Sequence, residues 1–254
     1  MIRPLRSALV NRVILRLVLV VCALTWWGLP GFGGIDLGVT WSSAWPVMLE
    51  AGWGLLMTVG LGLPFLATAI RPSVGRAALV QVYVVAAALL VGAVLGLEPQ
   101  AWWIFVLLAI ELPPLILAAR GDIGDPLPSR ALTILTIVAV LPALAYAWHM
   151  CAQNRLGLAS GDITLGTDHY SVQAAVALSL VGLPAVASYW PATRRLLGTS
   201  TAVMAGYLGL VSVGWPDAVA GFSPAWSVAV LVWAVAIAVA SWWPTVRRIP
   251  VKAL

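Results

Sequence analysis

Charge is what this sequence has least of. Only 9% of its 254 residues are Asp, Glu, Lys or Arg, against 62% apolar, whereas a soluble domain carries about 25% charged and about 45–50% apolar side chains. That scarcity excludes a water-facing globule, because too few solvated groups exist to cover its surface. Histidine and cysteine are rarer still, two of each. Cys22 lies inside the first apolar run and Cys151 at the rim of the fifth, a poor geometry for a bridge. Two histidines, both expected at a membrane rim, exclude a haem clamped between imidazoles inside the bilayer. Arginine never runs in series within a span, which excludes a voltage sensor. Also missing are a Walker loop and a GxGxxG fingerprint, a GxSxG elbow, the HExxH, HxxxH and CxxC metal spacings, and the NDxxD and EExxxR patterns of prenyl-binding and membrane-protease sites.

What is there is hydrocarbon in lengths suited to a bilayer, at about 20 residues per span. Apolar runs fall near residues 10–30, 47–70, 77–97, 101–119, 131–150, 171–190, 199–214 and 225–243, each bounded by Pro, Gly or charge. They predict an all-α integral membrane protein, a bundle of eight transmembrane helices forming one domain over 1–254, with a long outer loop at 151–170. The seventh run, "TSTAVMAGYLGLVSVG", is the shortest, and either crosses or dips without crossing. "LVLVVCALTWW" has no small-residue cleavage site and continues past Cys22, so it reads as a retained anchor and not as a signal peptide or lipidation site.

Basic residues set the expected direction. With the N-terminus inside, Arg3, Arg6, Arg12, Arg16, Arg71, Arg76, Arg120, Arg130, Arg194, Arg195, Arg247, Arg248 and Lys252 share one side, and Arg155 alone stands opposite. The positive-inside rule produces this pattern when each span is counted, so both termini are expected in the cytoplasm of a cell-membrane, multi-pass protein. The net charge of +5 is explained by that placement, and nucleic acid is not an expected partner. Tryptophans gather at the outer ends, as an interfacial belt would.

One repeat is visible. "AVASYWPATRR" (185–195) and "AVASWWPTVRR" (238–248) share eight of eleven positions, with a fainter echo in "ATAIRPSVGR" (67–76). It reads either as a common exit device, with Trp at the interface, Pro as helix stop and Arg at the phosphates, or as a duplicated helical hairpin. Gly92 and Gly96 form a GxxxG, used for helix contacts inside the bundle or for a homodimer.

Two places concentrate chemistry. Glu111, in "IELPPLIL", is the one acid set well inside a span, where insertion costs on the order of 2.5–3.5 kcal/mol. It reads as a structural partner for carbonyls freed by Pro113 and Pro114, or as a proton-carrying or substrate-facing carboxylate. Glu50, within a turn of the outer surface, is expected to snorkel. The loop "AWHMCAQNRLGLASGDITLGTDHYSVQ" is the other place, and loops of this length are often functional. His149, Asp168 and His169 are its candidate catalytic set, an Asp–His pair suited to acid–base work. Asn154, Arg155, Asp162, Tyr170 and Gln173 are candidate binding residues, joined by Glu111. The alternative is that Asp168 or Thr167 merely caps the sixth helix. No metal site is assigned and the cofactor is unknown.

Three functions fit: binding or processing of a lipid or envelope component at an outer polar site, a permease subunit using Glu111, or a non-catalytic scaffold beside another membrane protein. The lipid bilayer is the expected partner in each.

Overall fold

Glycine and proline decide where this bundle departs from straight helices. The computed structural model describes residues 3–42, 46–157 and 163–243, with side chains from Val10 onward. Eight helices are long and apolar enough to cross a membrane: Val10–Trp27, Val47–Ile70, Pro72–Gly96, Pro99–Ala118, Arg130–Arg155, His169–Tyr189, Pro191–Gly214 and Pro224–Trp242. The chain is an all-α polytopic membrane protein. Its helices are α1 (Arg3–Trp27), α2 (Gly33–Val39), α3 (Val47–Leu55), α4 (Leu63–Ile70), α5 (Gly75–Gly96), α6 (Trp102–Ala118), α7 (Arg130–Arg155), α8 (His169–Tyr189), α9 (Pro191–Gly214) and α10 (Pro224–Trp242). Strands β1 (Ile163–Thr164) and β2 (Thr167–Asp168) pair antiparallel. Their turn places both Leu165 (φ 49°) and Gly166 (φ 83°) at positive φ, as a two-residue type I′ hairpin requires.

The span containing α3 and α4 and the one formed by α8 are the most buried; α1, α6, α7 and α10 flank them. Successive spans reverse direction, so the connections after α4, α6 and α8 meet at one end. There Arg120 N donates to Pro72 O (3.2 Å), Arg76 N to Arg120 O (3.4 Å) and Arg194 Nη2 to Leu127 O. The β1–β2 hairpin marks the other end, called here the hairpin end.

Within hydrocarbon every freed backbone group needs a protein partner, and span two shows how. Pro64 lacks an N–H, so neither Gly60 O nor Val59 O receives a backbone donor from it. The chain widens into a π-helix over Leu56–Gly62, and Gln81 Nε2 from α5 donates to Val59 O (2.8 Å) and Gly60 O (3.3 Å). Ser200 Oγ of α9 completes the amide by donating to Gln81 Oε1 (2.9 Å).

Span one is broken. After Trp27 the helix stops over "GLPGF" (28–32), and α2 starts at Gly33. Gly31 N donates back to Thr25 O (2.9 Å), and Trp53 Nε1 donates to Gly31 O (2.7 Å). A Cβ on Gly31 would meet Trp26 O at 2.6 Å, and one on Gly33 would meet Met57 Cβ at 2.7 Å. Met57 is ten residues along span two from Val47, ~15 Å at the helical rise, so the break lies near mid-bundle. Continuous helix over 10–30 was expected, and the glycines that make the break also let it pack this closely.

Other expectations need correction. Span five runs on to Arg155, so the loop expected at 151–170 begins only at 156, and Cys151, Asn154 and Arg155 become helical. Span seven is a full helix from Pro191, not 199–214. Its first turns are polar yet buried, with Thr193 Oγ1 donating to Trp190 O (2.8 Å), which hydropathy alone under-reads. Glu50 is buried, not snorkelling. In the 185–195 repeat, Pro191 starts α9 one residue after α8 ends, and the Arg194 guanidinium turns inward to Ala187 O (3.2 Å) and Ser188 O (3.4 Å). The second copy runs beyond the described residues from Pro244 onward.

The GxxxG faces inward. A Cβ on Gly92 would meet Ser171 O of α8 at 2.6 Å, and Asn154 Nδ2 of α7 donates to Gly96 O (3.1 Å). Gly92→Ala is therefore expected to cost about 1–3 kcal/mol by overpacking. Gly206→Ala, whose Cβ would find Ala234 Cβ at 3.8 Å, should be near neutral. Unfolding of both variants in one detergent checks the difference.

Candidate functional site

At the hairpin end the organising group is Glu98, an acid that sequence reasoning passed over. Leu97 at φ 58° closes α5, and Glu98 N donates to Ala93 O (2.8 Å). Its carboxylate accepts from Gln100 N (3.2 Å), Asn154 Nδ2 (3.3 Å) and Asp168 N (3.3 Å). Trp103 Nε1 donates to Thr167 Oγ1 (3.0 Å) and pins the hairpin to α6. An acid placed just past a glycine-ended helix, beside a long loop, was the available signal.

The expected catalytic residues differ in exposure. His149 is exposed on α7, whereas His169 is 1% exposed, with its ring stacked 4.3 Å from Trp53 and Nε2 2.9 Å from Thr164 Oγ1. Asp168 is the N-cap of α8, its Oδ1 accepting from Tyr170 N (3.0 Å). The described residues contain no cluster of three or more His, Cys, Asp or Glu able to hold a metal ion. Of the expected binding residues, Arg155 is exposed and lies over the Trp148 ring at 4.6 Å. Asn154 serves the α5 end, Tyr170 packs with Leu49, Met150 and Cys151, and Asp162 lies outside the described residues.

Gln173 leads to a recess on this side. Fully buried in α8, its Nε2 donates to Tyr146 Oη (2.9 Å), and Tyr146 Oη donates to Ala220 O (2.6 Å). The Tyr146 ring meets Phe222 edge-on at 5.3 Å. Together they close one end of a groove of about 640 Å³ between α7 and α10. Its walls are Leu141 and Ala145 on one side and Trp226 and Ala229 on the other, with Val176 and Leu208 as floor. No charged residue lines it. Trp233 Nε1 donates to Leu135 O (2.9 Å) at its far end. Beyond that bond a second recess of about 960 Å³ follows, lined by Ser129, Ile134, Arg194 and Trp243.

Glu111 lies apart from both. It is 4% exposed, nine residues along α6 from Trp102, ~14 Å by helical rise, and receives Trp26 Nε1 on one oxygen and Thr25 Oγ1 on the other. Its partners are thus side chains of α1, and not the carbonyls that Pro113 and Pro114 set free.

The cap at Asp168 makes a sharp test. Asp168→Asn should keep stability, because Asn caps as well as Asp, while Asp168→Ala should lose about 1 kcal/mol, read from unfolding in detergent. No family model matches the chain, and no curated protein or solved structure matches it either.

Proposed function

We propose that this chain is a lipid-binding membrane protein that holds a hydrocarbon chain of a membrane lipid in the groove between α7 and α10. The observation that carries the reading is the groove itself, with apolar walls, a volume of about 640 Å³ and the half-buried Tyr146, held by the buried Gln173, at one end. Ligand sites fall in a range of roughly 300–1,000 Å³, mostly apolar with a few placed polar groups, and helix bundles form them between neighbours. The rim residues Leu141, Val138 and Trp226 are exposed on the lipid-facing side, so the natural entrant is hydrocarbon from the bilayer. Arginine bias supports reading the hairpin end as extracytoplasmic, and the groove on this reading opens to the outer half of the bilayer. The reading keeps Gln173 from the expected outer site and moves the ligand from the loop to the helix seam. Processing of the lipid has less support, since His149 is exposed on α7 while His169 is buried against Trp53.

Native mass spectrometry of protein extracted from vesicles of defined phospholipid is expected to show retained lipid. Ala145→Phe with Ala229→Phe, both pointing at the groove, should lower that retention several-fold in a protein that still folds. Equal retention by the filled variant overturns the proposal.

A second reading, a permease subunit, is favoured by the broken span one beside Glu111, because discontinuous helices build substrate sites in many transporters. Glu111→Gln should then abolish pH-dependent uptake in proteoliposomes, and unchanged uptake argues against it.

A further inference from the structure

Glu111 touches two residues, and they are the two on which the break in span one is folded. Thr25 O receives Gly31 N, and Trp26 lies directly beneath Gly31 and Gly33. The side chains of the same pair meet the carboxyl. Whatever changes at the carboxyl therefore reaches the break through one residue's length.

A count of protons shows what can change. Thr25 Oγ1 stands against two oxygens, Cys22 O at 2.7 Å and Glu111 Oε1, yet a hydroxyl has one proton to give. The indole of Trp26 can only donate, and it faces Oε2. With a proton on Oε1, every contact is a hydrogen bond. The carboxyl O–H goes to Thr25 Oγ1, the Thr25 proton to Cys22 O, and the indole N–H to Oε2. Without that proton the hydroxyl must turn from Cys22 O to the carboxylate, which then holds two donors for about four lone-pair sites. The two arrangements differ by one proton and one hydroxyl rotation.

We propose that Glu111 is a proton-exchange site within the membrane, and that the Thr25 hydroxyl, turning between Cys22 O and Glu111, relays its state to the break between α1 and α2. Water is source and sink: the carboxylic acid gives its proton to a water molecule, leaving carboxylate and hydronium, and the reverse step restores it. The surroundings leave the proton to this one group. Among elements packed on α6, α1 offers the buried Cys22 thiol nearby and the exposed Arg12 and Arg16 toward its start. Helix α5 offers the exposed Tyr83 and, at the arginine end, Arg76, and α4 has no titratable side chain. No ion pair to Glu111 occurs among the described residues. The proposal stands whether or not the α7–α10 groove holds lipid.

Dicyclohexylcarbodiimide tests it, because this apolar reagent adds a protonated carboxyl across its C=N bond and leaves a stable acylurea. The full chain in vesicles, treated over a pH series and mapped by peptide mass, should carry the adduct at Glu111 at low pH and lose it as pH rises. A carboxylic-acid C=O infrared band should fall in parallel, be missing in Glu111→Gln, and move in Thr25→Val, which removes its hydrogen-bond partner. An adduct and band unchanged by pH while the protein stays folded would mean a fixed structural acid. Neither adduct nor band at any pH would mean a permanent carboxylate, and a band unmoved in Thr25→Val would remove the relay. Each of those results overturns the proposal.

Discussion

A carbonyl without a donor has no water to turn to inside a bilayer, and this constraint shapes the centre of the bundle. Pro64 withholds one backbone donor, and the response is a chain of side chains: Gln81 on span three donates to Val59 O and Gly60 O, and Ser200 on span seven satisfies Gln81 in turn. Trp27 Nε1 adds a donor to Thr58 O (3.1 Å), tying span one to the same π-helical turn. Four spans are thereby cross-linked around one proline. Such fully satisfied buried networks specify one packing, since any rearrangement strands polar groups in hydrocarbon.

The same economy governs the few charges. Glu98 gathers three donors to hold the hairpin, and Arg194 caps the carbonyls at the end of α8. Both sit near span ends, where polar groups come cheaper. Glu111 is the exception in depth, and its partners are neutral.

Span count and helix class were legible in composition alone, because hydropathy measures the property that the bilayer selects. That Arg71, Arg120 and Arg194 stand in segments sharing one end of the bundle was legible too. Details failed where a residue's environment depends on distant chain. The first turns of α9 looked too polar to be buried, because nothing local reveals that Arg194 turns in to the carbonyls of Ala187 and Ser188. His149 and His169 seemed level with each other, but a helix has faces as well as depth, and α7 turns His149 outward. Trp53 carried no signal at all: an apolar residue in an apolar run, it becomes the surface on which His169 stacks and a donor to the break. Gln173 was picked out as polar, while its link through Tyr146 to a groove could come only from the packing of α7 against α8.

The seam between α7 and α10 has a further property. A bond from the Trp233 indole to Leu135 O spans it, with one recess on each side. A hydrocarbon tail lying in the apolar recess runs into that indole before it can reach the recess beside Arg194. The seam is thus two recesses separated by a bulkhead, and any molecule passing along it from one recess to the other would require the indole to swing aside.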